Sequence, residues 1–145
     1  MKQNVMLTIA SVLTLLLLTF HLAQDIVYGY EPGTVNNLLA VPIVVVWLYG
    51  TLMLAGRRSG YIIILLGSLL GLFVPYVHMK GKGVGVASRL TGTSGHFFFV
   101  WTLLAIGVLS LFSAILSVRG LWSLPWRRSD SANNPNMERP VARRR

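Results

Sequence analysis

The sequence predicts an all-α integral membrane protein: a bundle of four transmembrane helices followed by a disordered basic tail. Three observations predict it. Apolar residues make up 54% of the chain and charged residues only 12%, against about 25% charge in an ordinary soluble domain. The apolar residues are gathered into four blocks, each about as long as the 18 or more residues a helix needs to cross a bilayer. The bases lie outside those blocks, nearly all between them or after the last one, where they orient a membrane protein rather than cover a soluble surface.

The first predicted span covers residues 5–23 and includes the run Leu15-Leu16-Leu17-Leu18. A signal peptide would also place a base, here Lys2, ahead of an apolar stretch. This stretch is long for that role, and His21 stands where small residues would mark cleavage, so a retained helix is expected. The second span covers 35–56, with Pro42 in its first turns and Arg57-Arg58 closing it. The third covers 60–78, with Pro75 near its end as a candidate kink, and the fourth covers 96–118, stopping at Arg119. The short connection between spans two and three makes them an antiparallel hairpin. Residues 25–34 and 79–95 are read as longer loops, which carry function more often. From 123 to 145 the chain is rich in Pro, Asn, Ser and Arg without apolar periodicity, the composition of disorder. Trp122 and Trp126 fit an interfacial position.

Four spans place both ends of the bundle's chain on one side. With that side cytoplasmic, Lys2, Arg57, Arg58, Arg119, Arg127, Arg128, Arg139 and Arg143 to Arg145 are inside, and only Lys80, Lys82 and Arg89 are outside. The positive-inside rule then gives N-in, C-in in a bacterial-type inner membrane. The net charge of +9 has no nucleic-acid-binding module beside it, so nucleic acid is not an expected partner. The tail arginines suit anionic lipid instead. The chain has no cysteine, which excludes disulfides, thiolate metal sites and iron–sulfur clusters.

Helices associate in a bilayer through close packing and polar contacts, so small residues mark contact faces. At about 100° per residue, Gly60, Gly67, Gly71 and His78 share one face of span three. His96, Gly107, Ser110, Ala114 and Ser117 share one face of span four by the same arithmetic. Span one carries a polar stripe of Ser11, Thr14, His21, Gln24 and Asp25, and span two offers Asn37, Thr51 and Ala55. Burying all four faces gives a left-handed bundle.

The chain's three histidines, His21, His78 and His96, all fall at the predicted outer end. Asp25 follows His21 by four residues, on the same helical face if the helix persists, and Glu31 lies in the same loop. Imidazoles with one carboxylate suit zinc, copper or non-haem iron, and three His with one Asp would complete four-coordinate zinc. Haem b is the variant in which facing histidines ligate iron and glycines make room. A second ligand pair at the inner leaflet is missing from the sequence, so transmembrane electron transfer by this chain alone is not expected. Against these readings stands the simple tendency of polar residues to gather near membrane interfaces, where their burial penalty fades.

Other motifs carry less. Lys80-Gly81-Lys82-Gly83-Val84-Gly85 departs from the G-x-x-x-x-G-K-[ST] phosphate loop and lacks its strand–helix setting. No nucleophile–base–orienter set is visible among the serines. Phe97-Phe98-Phe99-Val100-Trp101 circles the helix, as lipid-facing bulk does. The absence of mid-span charges weakens an ion-coupled transporter. The expected role is therefore an accessory or binding subunit of a larger membrane complex, with a His21/Asp25/His78/His96 metal or haem site at the outer face. The alternatives are an assembly subunit without cofactor and a small oligomeric transporter.

Overall fold

The computed structural model describes residues 2–29, 31–80 and 94–124, apart from the side chains of Met79, Lys80 and His96. Among these the chain is helical throughout: α1 (Lys2–Val27), a 3-10 turn (Val35–Leu39), α2 (Ala40–Leu52), α3 (Arg58–Lys80) and α4 (Ser94–Ser123). Four helical segments are long and apolar enough to cross a membrane, and the protein is a membrane protein on that ground. The basic tail and most of the 79–95 loop lie outside the described residues.

The element boundaries differ from the sequence expectation in two places that matter. α1 continues through Asp25 to Val27 and ends at Gly29, whose φ of 72° is the left-handed conformation glycine adopts without penalty at a helix C-terminus. Asp25 is thus a helical residue, not a loop residue. The second span is composite. The Asn37 side chain reaches back to the Thr34 N–H at 2.9 Å to start a 3-10 turn, and α2 then runs only to Leu52. Pro42 sits in the first turn of α2, where no intrahelical N–H is required. Gly56, at φ 76°, makes the tight return into α3.

In the bundle α4 packs along both α1 and α3, while α2 packs on α3 and more lightly on α1. The contacts are made by small and hydroxylic residues, as expected where hydrophobic burial gives helices no reason to pair. Gly67 lies directly beneath the Trp47 indole, and a side chain there would collide with the ring. One turn further, Gly71 lets Ser110 of α4 and Thr14 of α1 approach the α3 backbone. Gly60 packs on the Leu54 carbonyl and Gly107 lies beside the Pro75 ring. Ser110 and Ala114 are buried. One face of α3 therefore meets α2 at its start and α1 with α4 nearer His78.

A closed hydrogen-bond ring ties α1 to α2. Trp47 Nε1–H donates to Ser11 Oγ at 2.8 Å, and Thr51 Oγ1 donates to the Trp47 carbonyl at 2.9 Å. Thr51's only hydroxyl proton is thereby used. The 2.8 Å Ser11–Thr51 contact must then have Ser11 as donor, and every polar hydrogen in the ring has an acceptor. At the same end of the bundle Tyr61 donates to Asn4 Oδ1 at 2.6 Å and Gln3 Nε2 donates to the Leu116 carbonyl at 3.0 Å. The start of α1 and the end of α4 are thus at one end, and the three histidine-bearing helix ends are at the other.

Candidate metal centre

The polar stripe of α1 is buried along its length: Ser11, Thr14, His21, Gln24 and Asp25 all face the other helices. Because α1 stays helical through residue 25, His21 and Asp25 are one turn apart on one face, and His21 Nε2 lies 3.4 Å from Asp25 Oδ2. The last turns of α3 bring His78 to the same point. Its Nε2 is 3.1 Å from His21 Nε2 and 3.4 Å from Asp25 Oδ2. His21, Asp25 and His78 are 3%, 5% and 9% exposed, so the cluster faces the other helices of the bundle.

Three donor atoms from two helices therefore form a nearly equilateral triangle. A tetrahedral zinc site with bonds of about 2.0–2.1 Å has ligand–ligand edges of about 3.3–3.4 Å. An ion at that distance from all three atoms sits just off their plane and keeps a fourth position open. His21, Asp25 and His78 are also the one group among the described residues whose donor atoms converge closely enough to share an ion. Haem b between His21 and His78 does not fit. Ligation by both histidines would require the macrocycle between the rings, and the two rings are in edge-to-face contact with centroids 4.5 Å apart. A pairing through His96 lies outside the described residues.

Hydrogen bonding around the triangle favours the metal-ready form of one ligand. The His78 Nδ1 lies 2.8 Å from the Val74 carbonyl. A carbonyl only accepts, so Nδ1 carries a proton, and in the neutral ring the Nε2 lone pair then faces the cluster; this Nδ1–carbonyl bond is the usual second interaction of a metal-ligating histidine. Asp25 is left with less. Its Oδ2 contacts are at 3.4 Å, longer than an ordinary hydrogen bond, and among the described residues Oδ1 is buried without a partner, as are His21 Nδ1 and both amide atoms of Gln24. A buried carboxylate so placed calls for a cation.

Phe99 of α4 closes the site. It is fully buried, with its ring 5.0 Å from His21 and 5.9 Å from His78, and Tyr28 packs against its other side at 6.4 Å. The reading of residues 97–101 as lipid-facing bulk is corrected here: Phe97, Phe98 and Trp101 are exposed, but Phe99 belongs to the core. The signal for it was present. Phe99, Leu103, Ile106, Ser110, Ser113 and Ser117 follow helical spacing, and all are buried.

His96 lies in the first turn of α4, three residues before Phe99, and its side chain lies outside the described residues. Glu31 is exposed, although its backbone N–H bonds the Asp25 carbonyl at 3.1 Å and folds the loop back over the end of α1. Comparison with protein-family models, curated proteins and solved structures gave no match, so the chemistry rests on the residues themselves.

Proposed function

We propose that this protein is a small multi-pass subunit that holds one transition-metal ion within the membrane through His21, Asp25 and His78. The observation that carries the reading is the triangle of Nε2, Nε2 and Oδ2 atoms, with edges of 3.1 to 3.4 Å, in a buried setting where, among the described residues, the two imidazoles are the ion-pair partners that the carboxylate has. Two imidazoles and one carboxylate suit zinc with a fourth oxygen ligand, or iron in the two-histidine, one-carboxylate arrangement. His96 is the further ligand that the sequence nominates. The protein is placed in a bacterial-type inner membrane with both ends of the bundle's chain cytoplasmic, from the distribution of its bases. The centre then faces outward, the tail meets anionic lipid, and a larger membrane complex is the expected partner.

A second reading has its own support. The 3.1 Å His21–His78 contact is also hydrogen-bond geometry, so the same cluster would share a proton when no metal is bound. Cobalt(II) titration of the purified protein separates the two. A metal centre gives an intense visible band saturating at one ion per chain, which Asp25→Asn removes. Loss of the band in His96→Ala as well would make His96 the fourth ligand. A featureless titration of the unsubstituted protein would leave the proton-sharing cluster in its place.

A further inference from the structure

The two histidines of the triangle are not equally prepared. When Nε2 of a neutral imidazole is a ligand, Nδ1 carries the ring's only proton and needs an acceptor. His78 has one, the Val74 carbonyl at 2.8 Å. His21 Nδ1 is buried and has none among the described residues. One turn along α1 from His21 stands Gln24, 9% exposed, with both its amide oxygen and its amide nitrogen buried and unpartnered.

Helix geometry places the two within reach. Residues three apart on a helix have Cβ atoms about 5–6 Å apart, close enough for a glutamine carbonyl to meet an imidazole N–H after rotation about its side-chain bonds. At about 100° per residue, Gln24 flanks His21 on one side and Asp25 on the other. The His21 ring is thus bracketed by the carboxylate that would share its metal and by the amide whose oxygen can accept a hydrogen bond from Nδ1–H. Buried unpaired polar groups are uncommon in folded proteins, and here two of them lie side by side on one helix turn.

We infer that Gln24 is the positioning residue of His21: its Oε1 accepts the Nδ1 proton when Nε2 ligates the ion, and so fixes the ring's tautomer and angle. The inference rests on the metal reading above. Gln24 does not touch the ion. Its effect is on how firmly the ion is held, and outer partners of this kind commonly change affinity by about tenfold to a hundredfold.

The experiment is competition of cobalt(II) or zinc against a chelating indicator, with the full-length protein in detergent and over a range of pH. Gln24→Leu is expected to weaken binding by about tenfold to a hundredfold while keeping one ion per chain and the helical circular-dichroism signal. Gln24→Glu supplies a stronger acceptor, so it is expected to restore or exceed the unsubstituted affinity, with binding persisting to lower pH. If Gln24→Leu binds within twofold of the unsubstituted protein while His21→Ala does not bind, the metal centre stands and the role of Gln24 is overturned. The role also falls if Gln24→Glu is as weak as Gln24→Leu, because the residue then matters only to packing. An unsubstituted protein that binds neither ion overturns the metal centre and this inference with it.

Discussion

At the scale of single residues, Asp25 has two opposed effects on the protein. With an ion bound, its carboxylate is a ligand. Without one, it is a charge buried at 5% exposure with two imidazole nitrogens at 3.4 Å. An unpaired buried charge is costly, and replacing it with a neutral group of the same shape often stabilises. Asp25→Asn is therefore expected to abolish stoichiometric metal binding yet raise the melting temperature of the chelator-treated protein, as followed by circular dichroism. A lower melting temperature under chelator would mean that the carboxylate is already paired without metal. Acidification should release the ion, since both imidazoles must be neutral to ligate it, and equilibrium dialysis across a pH series reads that directly. Three of the four site residues nominated by spacing, His21, Asp25 and His78, are drawn together by the fold. Phe99 was passed over because its run of aromatics circles the helix and alone gives no phase, although the spacing that continues through Leu103, Ile106 and Ser110 supplies one. The Val74 carbonyl was hidden because backbone acceptors leave no mark in a sequence.

At the scale of helices, the packing rests on glycines placed opposite bulky or polar partners. Gly67→Val should force the Trp47 indole off α3, since the space a side chain needs is taken by the ring. Overpacking of this kind costs about 1–3 kcal/mol. Ser11→Ala removes the middle of the Trp47–Ser11–Thr51 ring, a smaller loss of about 0.6–1.7 kcal/mol for interhelical hydrogen bonds in membrane proteins. Unfolding of both variants in mixed detergent checks the order, and a Ser11→Ala loss exceeding that of Gly67→Val would contradict it. Small residues at helical spacing drew attention to Gly60, Gly67, Gly71, Gly107, Ser110 and Ala114. Gly50 and Gly120 escaped notice, though Ile63 and Tyr61 press on them as closely. Periodicity finds the face of a helix. It does not say which neighbour that face meets, and the shortening of span two at Leu52 depended on a tight return that composition alone does not define.

At the scale of the whole molecule, the distribution of charge predicts which way the bundle sits. Four spans would put ten of the thirteen bases on the side of the first and last residues and three on the other, so N-in, C-in is the expected topology. The chain has no cysteine, which allows single reporters to be placed without background. In intact cells a membrane-impermeant thiol reagent should label Ser88→Cys and spare Ser129→Cys, and the reverse pattern would put the histidine cluster on the cytoplasmic side. Four apolar blocks made the membrane-embedded helical architecture legible from the sequence. Convergence of the histidines was not legible, because loops of such length permit several helix arrangements, and only the packed order of α1, α4, α3 and α2 brings His21 and His78 together. The most direct test of the central claim is elemental analysis for Fe, Cu, Zn and Mn on untagged protein purified without chelator, beside the His21→Ala/His78→Ala double variant. A metal centre predicts close to one ion per chain in the first and none in the second; equal and negligible metal in both, with the protein folded, would contradict it.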